Sequence, residues 1–289
     1  MARLLAGKHQ VLMPQEGSRC SPVGADVDGK FRPFGTNSVV QFLRVEGGSS
    51  VANGVRLVAH RGLHDEEGGH ARENTVEAVR DALEVGATWV EVDVRVTQDG
   101  AAVLLHDATL DRLWGDSRAV SDVTLAEVQE LSEGEHRIPL LGDILTALDG
   151  GGATLLIDMD SAEPAIGSVR VVQASTSNVA TAWCGDIDAM RTIREIMPEA
   201  VVWMPWHSST PPMASEIAFL SPSAINVKHT LVGQRFVDEV HTLGVDVAVW
   251  TVDETPRALH LASIGVDSIT SNRFEAIAEA TRAEANDRS

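Results

Sequence analysis

Four short stretches of the chain carry residue types that could do chemistry together. They are His60-Arg61-Gly62, Glu91-Val92-Asp93, His106-Asp107 and Asp158-Met159-Asp160. A neutral imidazole takes up a proton and an imidazolium gives one, which is what ester cleavage at phosphorus requires in sequence. A guanidinium such as that of Arg61 suits phosphate oxygens, although a surface ion pair is its ordinary role. Glu91 and Asp93 fall on one face of an extended strand, because alternate strand residues point the same way. Their neighbours Trp89, Val90, Val92 and Val94 are apolar, so an inward-facing acidic pair is costly without a cation or a polar partner. With Asp158 added, the set is three hard oxygen donors, which suits Mg²⁺ or Ca²⁺ better than zinc. The alternative for an isolated Glu-x-Asp is a solvated strand face.

These residues need a scaffold that brings their strand ends together. From residue 55 onward, short aliphatic runs alternate with amphipathic stretches, the pattern of a parallel sheet wrapped by helices. Strands are expected at 56–59, 89–94, 102–105, 154–157, 179–183, 200–204, 224–227, 246–250 and 267–270, and helices at 74–85, 125–131, 186–197, 233–243 and 255–264. Val76, Val79, Ala82 and Leu83 recur at helical spacing and Gly86 follows as a C-cap. Acids and histidines at the carboxyl ends of successive strands are what an active site on a TIM-type (β/α)8 barrel presents. Nine strands compete for eight places, so one is accessory or one of the nine is not a strand. Between Asp93 and Ala102 there is no room for a helix. The link is a hairpin or an extended crossover, and the crossover is preferred because it carries both chemical ends to one rim.

The 289 residues fit a single barrel domain, 54–289, behind an N-terminal extension, 1–53, rich in Gly, Ser and Pro. The extension reads as partly ordered, or as an edge or lid over the barrel. A net charge of −19 argues against nucleic acid or an anionic membrane as the main partner, but a bound cation would admit a small anionic substrate. Cys20 and Cys184 make no disulfide framework and read as reduced thiols. With no signal-like start and no long apolar run, a cytoplasmic protein is expected.

The runs LVAHRG, ENTVEAV, WVEVDVRVTQDG and VLLHDATLDR, followed by RIPLL, TLLID, VAVWTVD and GVDSITS, resemble the glycerophosphodiester phosphodiesterases over about residues 55–275. The resemblance implies a TIM barrel and hydrolysis of a glycerol phosphodiester to an alcohol and glycerol 3-phosphate. By it, His60 and His106 are the acid/base pair, Glu91, Asp93 and Asp158 hold one divalent cation, Mg²⁺ or Ca²⁺, Arg61 holds phosphate, and Trp250 lines the glycerol pocket. It also implies attack by the neighbouring glycerol hydroxyl, giving a cyclic phosphate that water opens.

The chain departs from the family at several points. Asp158 stands for a glutamate and Asp160 for a lysine, the 63–72 loop is long and carries Arg72 where proline is usual, and SITSNR lacks an Asp and a Pro. His64 and the other polar residues of that loop suggest a solvated segment, a lid or extra ligands. The absent lysine also prompts two further readings: a barrel of the same fold acting on lysophospholipid or another diester, or a non-catalytic barrel that binds a phosphorylated ligand.

Overall fold

The computed structural model describes residues 51–52, 54–64, 71–132 and 136–287. The extension read over residues 1–53 lies almost wholly outside the described residues. Its end does not: β1 (Val51–Ala52) pairs antiparallel with β2 (Val55–Ala59).

The chain then runs through α1 (Val76–Glu84) into β3 (Trp89–Val96) and β4 (Ala102–Leu104). Three short helices follow, α2 (Asp111–Trp114), α3 (Leu125–Glu130) and α4 (Leu141–Leu148). Strand and helix alternate from there: β5 (Thr154–Met159), α5 (Ala162–Ala174), β6 (Ala180–Gly185), α6 (Ile187–Ile196), β7 (Val201–Trp206), α7 (Ala214–Ile217), β8 (Ala224–Lys228), α8 (Gln234–Thr242), β9 (Asp246–Trp250), α9 (Thr255–Ser263), β10 (Ser268–Ser271) and α10 (Phe274–Asp287). Strands β2, β3 and β5 to β10 pair in parallel, and β10 returns to β2 through Ser268↔Arg56 to Ser271↔Ala59, closing an eight-stranded barrel. This is the expected (β/α)8 fold.

The accessory strand is β4, and the crossover expectation is corrected. β4 lies antiparallel to β3, with Val94↔Leu104 and Val96↔Ala102 in register. The link is a hairpin whose turn is held by Thr97 N–H to Ala101 O at 3.0 Å and by Thr97 Oγ1 to Asp99 Oδ1 at 2.6 Å. Both ends still reach one rim, because β3 runs past the level at which Asp93 faces Asp158. β4 brings the chain back down that overhang, and Leu105 N–H bonds Asp93 O at 3.1 Å. His106 therefore descends to the rim from above rather than climbing to it. Val103 of β4 and, after the hairpin, Leu105, Leu110, Val120, Val123, Val128 and Ile138 form a satellite core, which keeps this segment folded beside the barrel.

Inside the barrel, Val58, Leu156, Ala182, Trp203, Ala224 and Ala248 pack together, with Trp89 stacked on Trp203 at 5.4 Å. Arg56 lies over Trp89 at 4.7 Å and covers the amino end. Strand alternation then sets the upper layer. The residue two beyond Val58 is His60, two beyond Leu156 is Asp158, and two beyond Ala248 is Trp250. The apolar plug thus dictates which polar residues meet at the carboxyl rim.

Candidate active site

The turn after β2 is tight. Arg61 has φ +58° and Gly62 φ +81°, both in the left-handed region. A Cβ on Gly62 would stand 2.6 Å from the Ala78 carbonyl carbon of α1, so only glycine lets the turn pack there. Leu63 N–H bonds Ala78 O at 2.8 Å and fixes it. Arg61 N–H in turn donates to Glu91 Oε2 at 2.9 Å.

Glu73, Asn74 and Thr75 support the site from below α1. Thr75 caps the helix, accepting from Ala78 N–H, so α1 starts at Val76 rather than at Asn74. Asn74 is left in a left-handed conformation, φ +57°, which asparagine tolerates better than most residues. Its amide holds Asp93 on two sides, donating to Oδ2 at 2.8 Å and accepting from the Asp93 N–H at 3.0 Å. Glu73, buried to 6% exposure, accepts from Arg61 Nη1 at 3.0 Å and from Arg112 Nη2 at 2.6 Å. Burial opposes its charge, but these guanidinium bonds hold its carboxyl below the usual range. A line of charge runs on from Arg112 Nε to Asp107 Oδ2, 2.6 Å, and from Asp107 Oδ1 to His106 Nδ1, 2.7 Å. The Arg112 bond sets Asp107 at about 2.

Glu91, Asp93 and Asp158 come together at the barrel mouth. Asp93 and Asp158 are register partners, and Glu91 lies two residues back on the same face. Burial, then the charges of Asp93 and Asp158, raise Glu91 well above its ordinary value. Burial and Asp93 push Asp158 up to about 6. Arg61 is the nearby cation, with Nε 3.0 Å from Asp93 Oδ2. That Nε–H is not aimed at the oxygen and is buried without a hydrogen bond among the described residues. Cys184 presses on the cluster from β6, its thiol 3.4 Å from Asp158 Oδ2. Among the described residues no three His, Cys, Asp or Glu side chains form a ready metal shell. The donor set nonetheless fits a hard cation in kind, since Glu91 and Asp158 are buried carboxylates whose ionisation is disfavoured by burial and by the neighbouring Asp93 charge.

The two histidines occupy different settings. His60 is mostly buried, and burial followed by the Arg61 charge lowers it to about 4. Its Nε2 lies 3.9 Å from Glu91 Oε2, and its Nδ1 is 2.6 Å from Asn272 Oδ1. His106 is 46% exposed and lines a cavity of about 90 Å³ with Asp93, Arg95, Asp158 and Asp160. His60, Arg61, Glu91 and Trp250 do not line that cavity; Trp250 ends β9 at the same rim.

Asp160, where the resemblance leads one to expect lysine, has a partner. It pairs with Arg95, whose Nε also donates to His106 O at 3.1 Å. Arg95, Asn74, Glu73, Arg112 and Asn272 also belong to the site, although none is among the residues expected from the sequence. The ENT run and the departure at SITSNR were the signals available. His64 reaches Asn272 Oδ1 at 3.2 Å, while the rest of the lid-or-loop question, residues 65–70, lies outside the described residues. Arg72 lies over the Trp114 ring at 4.9 Å.

A (β/α)8 barrel with imidazoles, buried carboxylates and guanidinium groups gathered at its carboxyl rim has the layout of a barrel enzyme's active site. The profile of the glycerophosphoryl diester phosphodiesterase family matches residues 60–276. A glycerophosphodiester phosphodiesterase of Caldanaerobacter subterraneus subsp. tengcongensis is 25% identical over 250 residues, covering 78% of this chain and 97% of the relative. The structure of an Oleispira antarctica phosphodiesterase in complex with the product sn-glycerol-3-phosphate superposes with a TM-score of 0.72 at 22% identity, over 78% of this chain and 96% of that one. A Thermotoga maritima glycerophosphodiester phosphodiesterase gives a TM-score of 0.64 at 21% identity, over 78% and 97%. The chain belongs to the glycerophosphoryl diester phosphodiesterase family, whose enzyme class is phosphoric diester hydrolase.

Proposed function

We propose that this chain hydrolyses glycerophosphodiesters to an alcohol and glycerol 3-phosphate, with His60 as the first proton acceptor and His106 as the first proton donor. The observation that carries the assignment is the contrast between the two imidazoles. His60 is buried and held neutral to about 4, so its Nε2 lone pair is available at neutral pH. His106 is exposed on the cavity wall with the Asp107 carboxylate 2.7 Å from Nδ1, which leaves Nε2 to face substrate.

His60 Nε2 takes the proton of the attacking glycerol hydroxyl as its oxygen bonds phosphorus. His106 gives a proton to the departing alcohol oxygen. Cyclic glycerol phosphate remains, and water opens it with the proton roles reversed. Arg61, with a buried Nε–H that lacks a hydrogen bond, is suited to a phosphoryl oxygen. Trp250 would flank the glycerol carbons. Glu91, Asp93 and Asp158 would hold Mg²⁺ or Ca²⁺, which when bound would offset charge on the phosphoryl oxygens.

A second reading concerns the alcohol. A groove of about 320 Å³ opens from the loops after β7 and β8, with Pro211, Leu231 and Phe236 in its wall beside Ser209, Gln234 and Arg235, on the rim that carries the site. An apolar alcohol group, as in a lysophospholipid, would suit it. A metal-titrated assay over glycerophosphocholine, glycerophosphoglycerol and a lysophosphatidylcholine tests both readings. Release of glycerol 3-phosphate that EDTA abolishes supports the first, and preferential turnover of the acyl substrate supports the second. Phosphate-ligand binding with no turnover of any diester contradicts both.

A further inference from the structure

His60 is backed by a chain of hydrogen bonds whose direction is fixed. β10 pairs with β2 up to Ser271↔Ala59, and His60 N–H bonds Ser271 O at 3.1 Å, so Asn272 follows directly beside His60. Its Oδ1 lies 2.6 Å from His60 Nδ1 and 3.2 Å from His64 Nε2. Its Nδ2 lies 2.8 Å from Asp253 Oδ2. Asp253 is anchored in turn, accepting at Oδ1 from Asn272 N–H at 2.9 Å and from Ser271 Oγ at 3.2 Å.

We propose that Asp253 and Asn272 are a positioning pair that locks His60 as the Nδ1–H tautomer and turns Nε2 to the substrate. A carboxylate can only accept, so the group beside Asp253 must be the Asn272 NH₂. A flipped amide would set its oxygen against Asp253 and two N–H donors against the ring nitrogens. With the amide so fixed, Oδ1 faces His60 and His64 and can only accept, so His60 Nδ1 carries the hydrogen. An amide does this without adding a negative charge beside the ring, in contrast to Asp107 behind His106. The pair acts as the orienting member does behind a catalytic histidine, with the amide between carboxylate and ring. The proposal rests on the assignment of His60 as proton acceptor.

Full-length protein labelled with ¹⁵N-histidine reports the tautomer by two-bond ¹H–¹⁵N correlation, with His60 identified by its absence in His60→Gln. Wild type should show His60 as Nδ1–H. Asn272→Ala and Asp253→Ala should shift it toward Nε2–H and lower kcat on glycerophosphocholine by about tenfold or more with KM little changed. Asp253→Asn, which keeps an oxygen for Nδ2, should retain the wild-type tautomer and most of kcat. Asp253 is exposed and Asn272 half-buried, so these variants should melt close to wild type. An Nε2–H His60 in wild type overturns the proposal, as does Asn272→Ala with an unaltered tautomer and kcat. A wild type that releases no glycerol 3-phosphate would overturn the functional reading alone, because the tautomer spectrum is independent of turnover.

Discussion

Asn74 and Asp93 are joined by two hydrogen bonds that use both ends of the Asn74 amide, 2.8 Å to the carboxylate and 3.0 Å from the backbone N–H. The left-handed conformation of Asn74 is what turns its amide toward β3. Without it, Asp93 would keep only the Arg61 guanidinium beside its carboxylate to hold it toward Glu91 and Asp158.

If Asp93 holds a cation, Asn74→Ala should weaken Mg²⁺ binding by about 10–100-fold, the usual effect of removing a group that orients a ligand. Isothermal titration with Mg²⁺ measures this. An unchanged affinity would show that Asp93 does not need Asn74 to bind metal.

Burial of the acids, together with the repulsion among them, predicts a pH-dependent stability without metal. The folded pKa of Asp158, about 6, lies above its unfolded value of 3.8, so the protonated form favours the fold. Stability from this group is present below the unfolded value and is lost as pH rises through about 6. His60 contributes the opposite slope between 6.5 and about 4, so a variant comparison is needed to separate the two. In EDTA, Asp158→Asn should exceed wild type in stability at pH 8 by about 2–3 kcal/mol, and the gap should close as pH falls toward 4. Urea unfolding at both pH values checks it, and a gap independent of pH would contradict the raised pKa of Asp158.

Much of this site is legible in the sequence, because the strands are aliphatic runs and the chemical residues sit at their ends. His60, Glu91, Asp93 and Asp158 need only the alternation rule. What escaped notice depends on distant pairing. Asn272 becomes meaningful only when β10 closes on β2, and the hairpin only when β3 overshoots the rim. Helix α5 is not among the helices the sequence pattern predicts, and its Pro164 and Gly167 are both residues of low helix propensity. Pro164 falls in the first turn, where no N–H is needed, and Gly167 packs so close to Val96 that a Cβ would lie 3.1 Å from its Cγ2. Asp160 looked uncompensated because Arg95 is sixty-five residues away.

That pair gives a coupling test. Arg95→Ala should raise KM for the diester about tenfold, by loosening His106 and leaving Asp160 unpaired at the cavity. Asp160→Ala added to it should recover part of the loss, giving a coupling energy of about 0.5–3 kcal/mol in the double-mutant cycle. Strict additivity would mean that the pair is unimportant to substrate binding.

Gly62→Ala should destabilise the fold by about 2–4 kcal/mol, since both the left-handed φ and the contact with the α1 backbone exclude a Cβ. The turn carries His60 and Arg61, so activity should fall with stability. Denaturant unfolding and kcat/KM measured on one preparation follow both, and a neutral substitution would show that the turn is not tightly packed.

The most direct test of the account follows ³¹P NMR signals of glycerophosphocholine with wild type, His60→Ala and His106→Ala at saturating Mg²⁺. The expected result is release of glycerol 3-phosphate by wild type, with each variant slower by about 10²–10⁴-fold. Full rate in either variant, or no release by wild type, would contradict it.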